Sequence, residues 1–298
     1  MALFLQLLVS GLALGTIYAL VALGFVVIYR SSQVFNFAHG EFLTFGAFVM
    51  ISLLDHQMPW GLALMGAMAA TGLLGTLIER SVLRPLVGRP VFVPIILTIF
   101  VGYLLRIFML LTWGSDPMGM PTPWDTMGTL NLGSATILLN SLAAVVASFA
   151  ALLFFYLLIS RTRLGVAMRA TSSDQETAMA LGIPVGKILG STWFIAGAFA
   201  ALAGIFLGTF PRNVDINLGF VALRAFPAVI IGGLESAVGA VIGGVLLGVL
   251  EVLAQGYVNP RLGEFGKDFH AVFPYLVMIL FLMVRPYGLF GQRRVQRV

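Results

Sequence analysis

No cysteine occurs anywhere in the 298 residues, and Asp, Glu, Lys and Arg together supply only 10% of them. The first absence excludes disulfides, thiolate metal sites and thiol nucleophiles. The second excludes an ordinary soluble domain, in which about a quarter of residues are charged. Histidine is equally sparse: of His39, His56 and His270, the last two fall in or beside expected external loops, so no metal-ligand set is expected around the first. A P-loop, G-x-x-x-x-G-K-[ST], is missing as well. Gly186 and Lys187 are followed by Ile188, Gly266 and Lys267 by Asp268, and the first-glycine positions hold Leu181 and Arg261, so the chain binds no ATP by that device. No hydrolase constellation is recognisable, and enzymatic activity is not expected. The formal charge of +5 comes without a basic stripe interleaved with exposed aromatics, which argues against nucleic acid as a partner.

Apolar residues fill the space that charge leaves, at 59% of the chain with a mean hydropathy of +1.01. Twenty-nine residues pass before the first charge, Arg30. That run has no basic n-region and exceeds the roughly 7 to 15 residues of a signal-peptide core, so it reads as a first span. Runs at 3–29, 35–54, 60–78, 91–113, 135–159, 188–210 and 271–284 then give a chain crossing a bilayer many times. Arg80, Arg84 and Arg89 share one loop, Arg161, Arg163, Arg169 and Lys187 a second, and Arg285, Arg293, Arg294 and Arg297 the tail. The positive-inside rule puts all three in the cytoplasm and leaves Asp55, Asp116 and Asp125 outside. Trp60, Trp113 and Trp124 fall near the interfaces as belt anchors, and Arg106 is expected to snorkel.

Residues 220–257 cannot be one span, because the loops on both sides must be external. Gly232, Gly233, Leu234, Glu235 and Ser236 supply a break, leaving a first arm of roughly 13 residues where about 20 are needed to cross. A broken or re-entrant pair is therefore expected here. Non-helical backbone at membrane depth persists only against protein or a water-lined cavity, which makes the segment a candidate lining of a translocation route; an ordinary packed hairpin is the alternative. G-x-x-x-G spacings at Gly11 and Gly15, Gly204 and Gly208, Gly239 and Gly243, and Gly244 and Gly248 allow helices to approach closely, within this chain or against another.

Between residues 160 and 187 the chain leaves the membrane for long enough to form a short helix. Ser173 and Glu176 read as a capping box with Asp174 beside it, and Gly182 and Pro184 stop the helix. A helix this short needs support, either from a partner's groove or from the protein's own helix ends. Within the spans, Asn36, His39 and Glu41 crowd one helix start, where they either line a substrate path or form a hydrogen-bonded knot around an unwound turn. Arg224 and Glu251 lie at similar depths and either pair or snorkel separately. Glu41, Glu235 and Glu251 also keep open an ion-coupled secondary transporter of small amino acids, which leaves the cytoplasmic helix without a role.

The run Glu176, Thr177, Ala178, Met179, Ala180, Leu181, Gly182 resembles the E-A-A-x-x-x-G motif of ABC importer permeases, with Thr for one Ala. Residues 15–29, followed by Asn36, Phe37, Ala38, His39, Gly40 and Glu41, and the closing Arg285, Pro286, Tyr287, Gly288, Leu289, Phe290 and Gly291, resemble LivH-type permeases of branched-chain amino acid importers. The Gly-Gly-Leu-Glu-Ser turn within 229–250 matches the same family. The resemblance implies one all-α permease domain over 1–298, a polytopic transmembrane bundle of about eight spans in a bacterial inner membrane. It implies a coupling helix in which Glu176, Ala178, Met179 and Gly182 meet an ATPase. The implied partners are two ATPase subunits that bind the ATP, a second related permease and a periplasmic binding protein. The implied solutes are branched-chain amino acids or similar small polar molecules such as amides and urea.

Overall fold

Backbone amides in hydrocarbon must be satisfied within their own segment, and this chain does so almost entirely with helices. The computed structural model describes residues 2–291 apart from 87, 88, 91, 126, 133, 134, 210 and 267. The helices are α1 (Ala2–Ser32), α2 (His39–Asp55), α3 (Trp60–Ile78), α4 (Phe92–Trp113), α5 (Leu139–Arg161), α6 (Arg163–Ser173), α7 (Gln175–Ala180), α8 (Val185–Leu207), α9 (Val221–Gly232), α10 (Ala237–Leu253) and α11 (Phe269–Val284). A small antiparallel hairpin, β1 (Thr129–Leu132) and β2 (Ala135–Leu138), pairs Thr129 with Leu138 and leads into α5. Among the described residues six helices, two of them (α3 and α10) extended by further helical turns, are long and apolar enough to cross a membrane; α9 and α11 are shorter apolar helices, and α2 has 17 residues.

The span expected from residue 135 starts at Leu139, because Ala135 to Leu138 are drawn into the hairpin. Those expected from 188 and 271 start at Val185 and Phe269. Val91 and Phe210, taken as span ends, lie outside the described residues, as do Lys267 and the tail arginines Arg293, Arg294 and Arg297.

The long helices α1 and α8 are the buried centre, whereas α4 and α5 turn most of their surface outward. Small residues set the central seam. A Cβ added at Gly248 would come within 2.3 Å of the Gly15 backbone, and one at Gly244 within 2.5 Å of Ala19, so α1 and α10 touch main chain to main chain. A Cβ at Gly204 would lie 2.1 Å from the Leu43 carbonyl, which brings α8 equally close to α2. At least these glycine pairs seal the subunit internally.

The largest departure from the expected topology is at residues 33–38. The second span was expected to begin at residue 35, but α1 ends at Ser32 and α2 starts only at His39, with non-helical chain between. Thr98 of α4 accepts from the Phe37 N–H at 3.2 Å, and Gly102 lies against Ala38 and Glu41. These α4 residues lie near the middle of that helix, so the chain re-enters the bundle before α2 begins. The turn Leu218–Phe220 ahead of α9 reaches the same place, because a Cβ on Gly219 would lie 2.7 Å from the Gly40 carbonyl. From this meeting point α2 runs toward Trp113 at one end, where the indole donates to Ser52 at 2.7 Å, and α9 runs to the other.

Candidate functional site: a polar cluster at mid-depth and a capped helix at the basic end

Asn36 closes the turn before α2. Its side-chain oxygen accepts from the Ala38 N–H at 3.1 Å, its carbonyl accepts from the His39 N–H at 3.2 Å, and the residue is buried. His39 is fully buried beside Gly24, with its ring 4.6 Å from that of Phe25. Asn36 thus fixes the turn ahead of α2, whereas His39 is held by packing alone, with neither ring nitrogen nor the Asn36 Nδ2 making a hydrogen bond. Glu41, two residues on, turns toward α4 instead, with its side chain 13% exposed.

There Glu41 Oε1 lies 3.6 Å from Arg106 Nη1, and Arg106 Nη2 donates to Asn217 Oδ1 at 2.5 Å. The guanidinium also lies 4.5 Å from the centre of the Phe220 ring. Helical side chains lean toward the N-terminus, which for Arg106 points back into the bundle along α4. The snorkelling expected of Arg106 is thereby replaced by an ion pair. Arg106 and Asn217 were absent from the sequence-derived site; the available signal was one arginine and one asparagine flanking apolar segments, which spacing could not bring together.

Arg224 and Glu251 also lie in ion-pair range, Nη1 to Oε1 at 3.6 Å, and Tyr18 donates to Glu251 Oε2 at 2.8 Å. Tyr18 and Glu251 are buried, so α1, α9 and α10 share one internal polar knot. Sequence reading missed Tyr18, since a tyrosine in an apolar run carries no positional signal.

The break at Gly232 to Ser236 lies at the arginine-rich end of the bundle. Gly233 adopts φ +98°, and Ser236 caps α10 by accepting from the Gly239 N–H at 3.0 Å. The closing segment folds back over this corner: the Leu289 N–H donates to Ile231 O at 2.7 Å and the Phe290 N–H to Gly232 O at 3.3 Å. These bonds satisfy carbonyls that the end of α9 leaves open. Gly232 is buried against the Gly239 backbone, whereas Glu235 lines a cleft of about 580 Å³ with Arg30, Arg169 and Asp174. The non-helical backbone deep in the bundle is thus at 33–38, and the Gly-Gly break forms the corner of a hairpin.

The loop between α5 and α8 holds two helices. Thr162 caps α6 through the Gly165 N–H at 3.1 Å, a device the sequence reading passed over. For α7 the cap is Asp174, which accepts from the N–H groups of Glu176 at 2.9 Å and Thr177 at 3.2 Å and from the Thr177 hydroxyl at 2.7 Å. Ser173 belongs to the preceding helix, so the expected Ser173–Glu176 capping box is replaced by this Asp cap. The hydrogen bonds from Thr177, side chain first, hold the Asp174 carboxyl below its usual range. Gly182 ends the turn at φ +80° with open space around its Cα. Ala178 is buried in a small cluster with Val185 and Leu189, packed by Ile183. Glu176 and Met179 face outward, and Leu181 is 76% exposed. Both supports weighed for the short helix therefore have a face: one docks on α8, and the other is solvent-exposed.

Beneath α7 the helix ends are locked. Arg84 makes a two-pronged contact with Glu79, at 3.0 and 2.6 Å, and donates to the Gly186 carbonyl at 2.6 Å, joining the end of α3 to the start of α8.

Long apolar helices, charged residues resolved within the bundle and a capped helix at its basic end define a multi-pass membrane protein of the permease class. The sequence model of the branched-chain amino acid transport system permease component matches residues 7–282. The chain is 31% identical over 99% of its length to the high-affinity branched-chain amino acid transport system permease protein LivH of Salmonella typhimurium, covering 98% of that protein. It is 34% identical, with the same coverage of both chains, to BraD of Pseudomonas aeruginosa, which carries the same description. This chain belongs to the family of branched-chain amino acid transport system permease components. Its fold is shared with a solved structure of PsaBC from Streptococcus pneumoniae in complex with Fab, at a TM-score of 0.55 and 13% identity over 97% of this chain and 94% of that one.

Proposed function

We propose that this chain is the membrane-spanning subunit of an ATP-driven importer for branched-chain amino acids, working in a bacterial inner membrane with two ATPase subunits, a second permease and an external binding protein. The whole of residues 1–298 is read as one permease domain. The observation that carries the reading is α7: a six-residue helix too short to persist alone, docked on α8 through Ala178 and presenting Glu176, Met179 and Leu181 outward beside Gly182. A partner groove completes its support. Motion of that groove is passed through Val185 and Leu189 to α8, and through Arg84 at Gly186 to α3, as rigid-body displacement of buried helices. Glu41 belongs to the solute path, Asn36 and His39 shape it, and Glu235 lines its cytoplasmic mouth, where the Gly232–Gly233 corner is the hinge. Supporting the substrate class is the likeness to LivH and BraD, both branched-chain amino acid transport permeases, at nearly full-length coverage.

The test is uptake of radiolabelled leucine by proteoliposomes holding the chain with its ATPase and permease partner subunits. The expected result is uptake that requires internal ATP and added binding protein and survives a proton ionophore. Uptake driven by an ion gradient without ATP would establish the secondary-transporter alternative instead. Uptake of urea or a short amide in place of leucine would move the solute class while keeping the importer.

A further inference from the structure

We infer that Arg106, Asn217 and Glu41 form a recognition site for the zwitterionic head of an α-amino acid on the wall of the permeation path; this rests on the importer reading above. Arg106 lies seven residues before Trp113, the last residue of α4. At 1.5 Å per residue its Cα is roughly 10 Å inside that end, within the ~30 Å hydrocarbon layer. Despite that depth the cluster is open to the side: the Arg106 and Glu41 side chains are 23% and 13% exposed, and Tyr103 and Phe220 next to them 65% and 52%. A charged pair in lateral contact with lipid tails is costly, so such pairs face protein or water. In this proposal the Arg106 edge of α4 and the turn before α9 line the aqueous route.

The chemistry of the cluster fits one solute head. Arg106 offers a planar cation to a carboxylate, with the Asn217 amide beside it. Glu41 offers the counter-charge for an ammonium. At 3.6 Å its Oε1 is in ion-pair range of Arg106 but beyond a hydrogen bond, and its Oε2 is buried with no hydrogen-bond partner. Turning that carboxylate toward an incoming ammonium therefore sacrifices no hydrogen bond and supplies the missing one. The Tyr103 and Phe220 rings are the apolar surface for an aliphatic side chain. Cation and anion spaced for one small zwitterion distinguish this wall from the Arg224–Glu251 pair, whose carboxylate already accepts from Tyr18.

The experiment uses the complete reconstituted importer. Arg106→Gln and Glu41→Gln are each expected to lower leucine uptake at least about tenfold, the usual scale for losing one charge-assisted contact. The double variant, which leaves no unpaired charge, is expected to stay low while still assembling with the ATPases. Recovery of uptake in the double variant would make the pair purely structural and overturn the site. A second measurement keeps the three polar groups and gives up only the Tyr103 ring: Tyr103→Cys, exposed and the sole thiol in a cysteine-free chain, is treated with a membrane-impermeant methanethiosulfonate. Labelling slowed by leucine but not by leucinamide, which lacks the carboxylate, supports the site. No labelling in any nucleotide state means that lipid covers this face, and equal protection by both compounds means that the carboxylate is not read there; either overturns it. A wild-type complex that moves no leucine sinks the amino-acid reading on which the site rests, separately from these outcomes.

Discussion

Gly248→Ala adds one methyl group to the seam between α1 and α10, and the structure sets its cost. The new Cβ would lie 2.3 Å from both N and Cα of Gly15, backbone atoms that no rotamer change can move. Carbon atoms pack at roughly 3.5–4.0 Å, so the helices must separate by more than an ångström along the seam that joins the buried centre. Alanine is the better helix former by about 1 kcal/mol, and overpacking against backbone that cannot move aside costs about 2–3 kcal/mol, the upper part of the usual range, for a net loss near 1–2 kcal/mol. At roughly 2–4 °C per kcal/mol the melting temperature should fall by about 2–8 °C. Gly61→Ala is the matched control: its Cβ meets nothing within 4 Å, so it should be neutral or slightly stabilising. The assay is thermal melting of detergent-purified full-length protein followed by size exclusion. Equal melting of the two variants would refute the claim that backbone contact at Gly248 holds this seam.

Tyr18→Phe removes the donor to the buried Glu251 carboxylate and should destabilise the protein by about 1–3 kcal/mol in the same melting assay, with little loss if the hydroxyl is dispensable. Gly182→Val places a β-branched residue at φ +80° in open space, so insertion should be unchanged while ATP hydrolysis and uptake uncouple; normal coupling would remove the turn from the transmission path. Because the Asp174 carboxyl is held below its unfolded range, its cap on α7 should be full strength above that unfolded value, about 3.9, and fade as pH falls through the lower folded one. Amide exchange at Glu176 and Thr177 should accelerate there, and Asp174→Ala should abolish the pH dependence. Among cysteine variants of the break, Glu235→Cys should label from the cytoplasmic side and Gly232→Cys should not, since Gly232 is packed on the Gly239 backbone.

Composition and run length were enough to specify a polytopic helical membrane protein, because hydrocarbon forbids unsatisfied backbone and leaves a long apolar run little choice but helix. Helix ends were legible wherever the signal was local: the break after Gly232, the stop at Gly182 and the short helix behind Asp174 all follow from residues within a turn of one another. An unwound turn near Asn36, His39 and Glu41 was one of two readings open in the sequence; only the tertiary structure decided that the chain is non-helical over 33–38 and deep in the bundle, because Thr98 and Gly102 of another helix hold it there. It also decided that the glycine seams join α1 to α10 and α2 to α8 inside one subunit. The same holds for Arg106 and Glu41: 65 residues apart in sequence, neither carries information about the other until α2 and α4 are laid side by side.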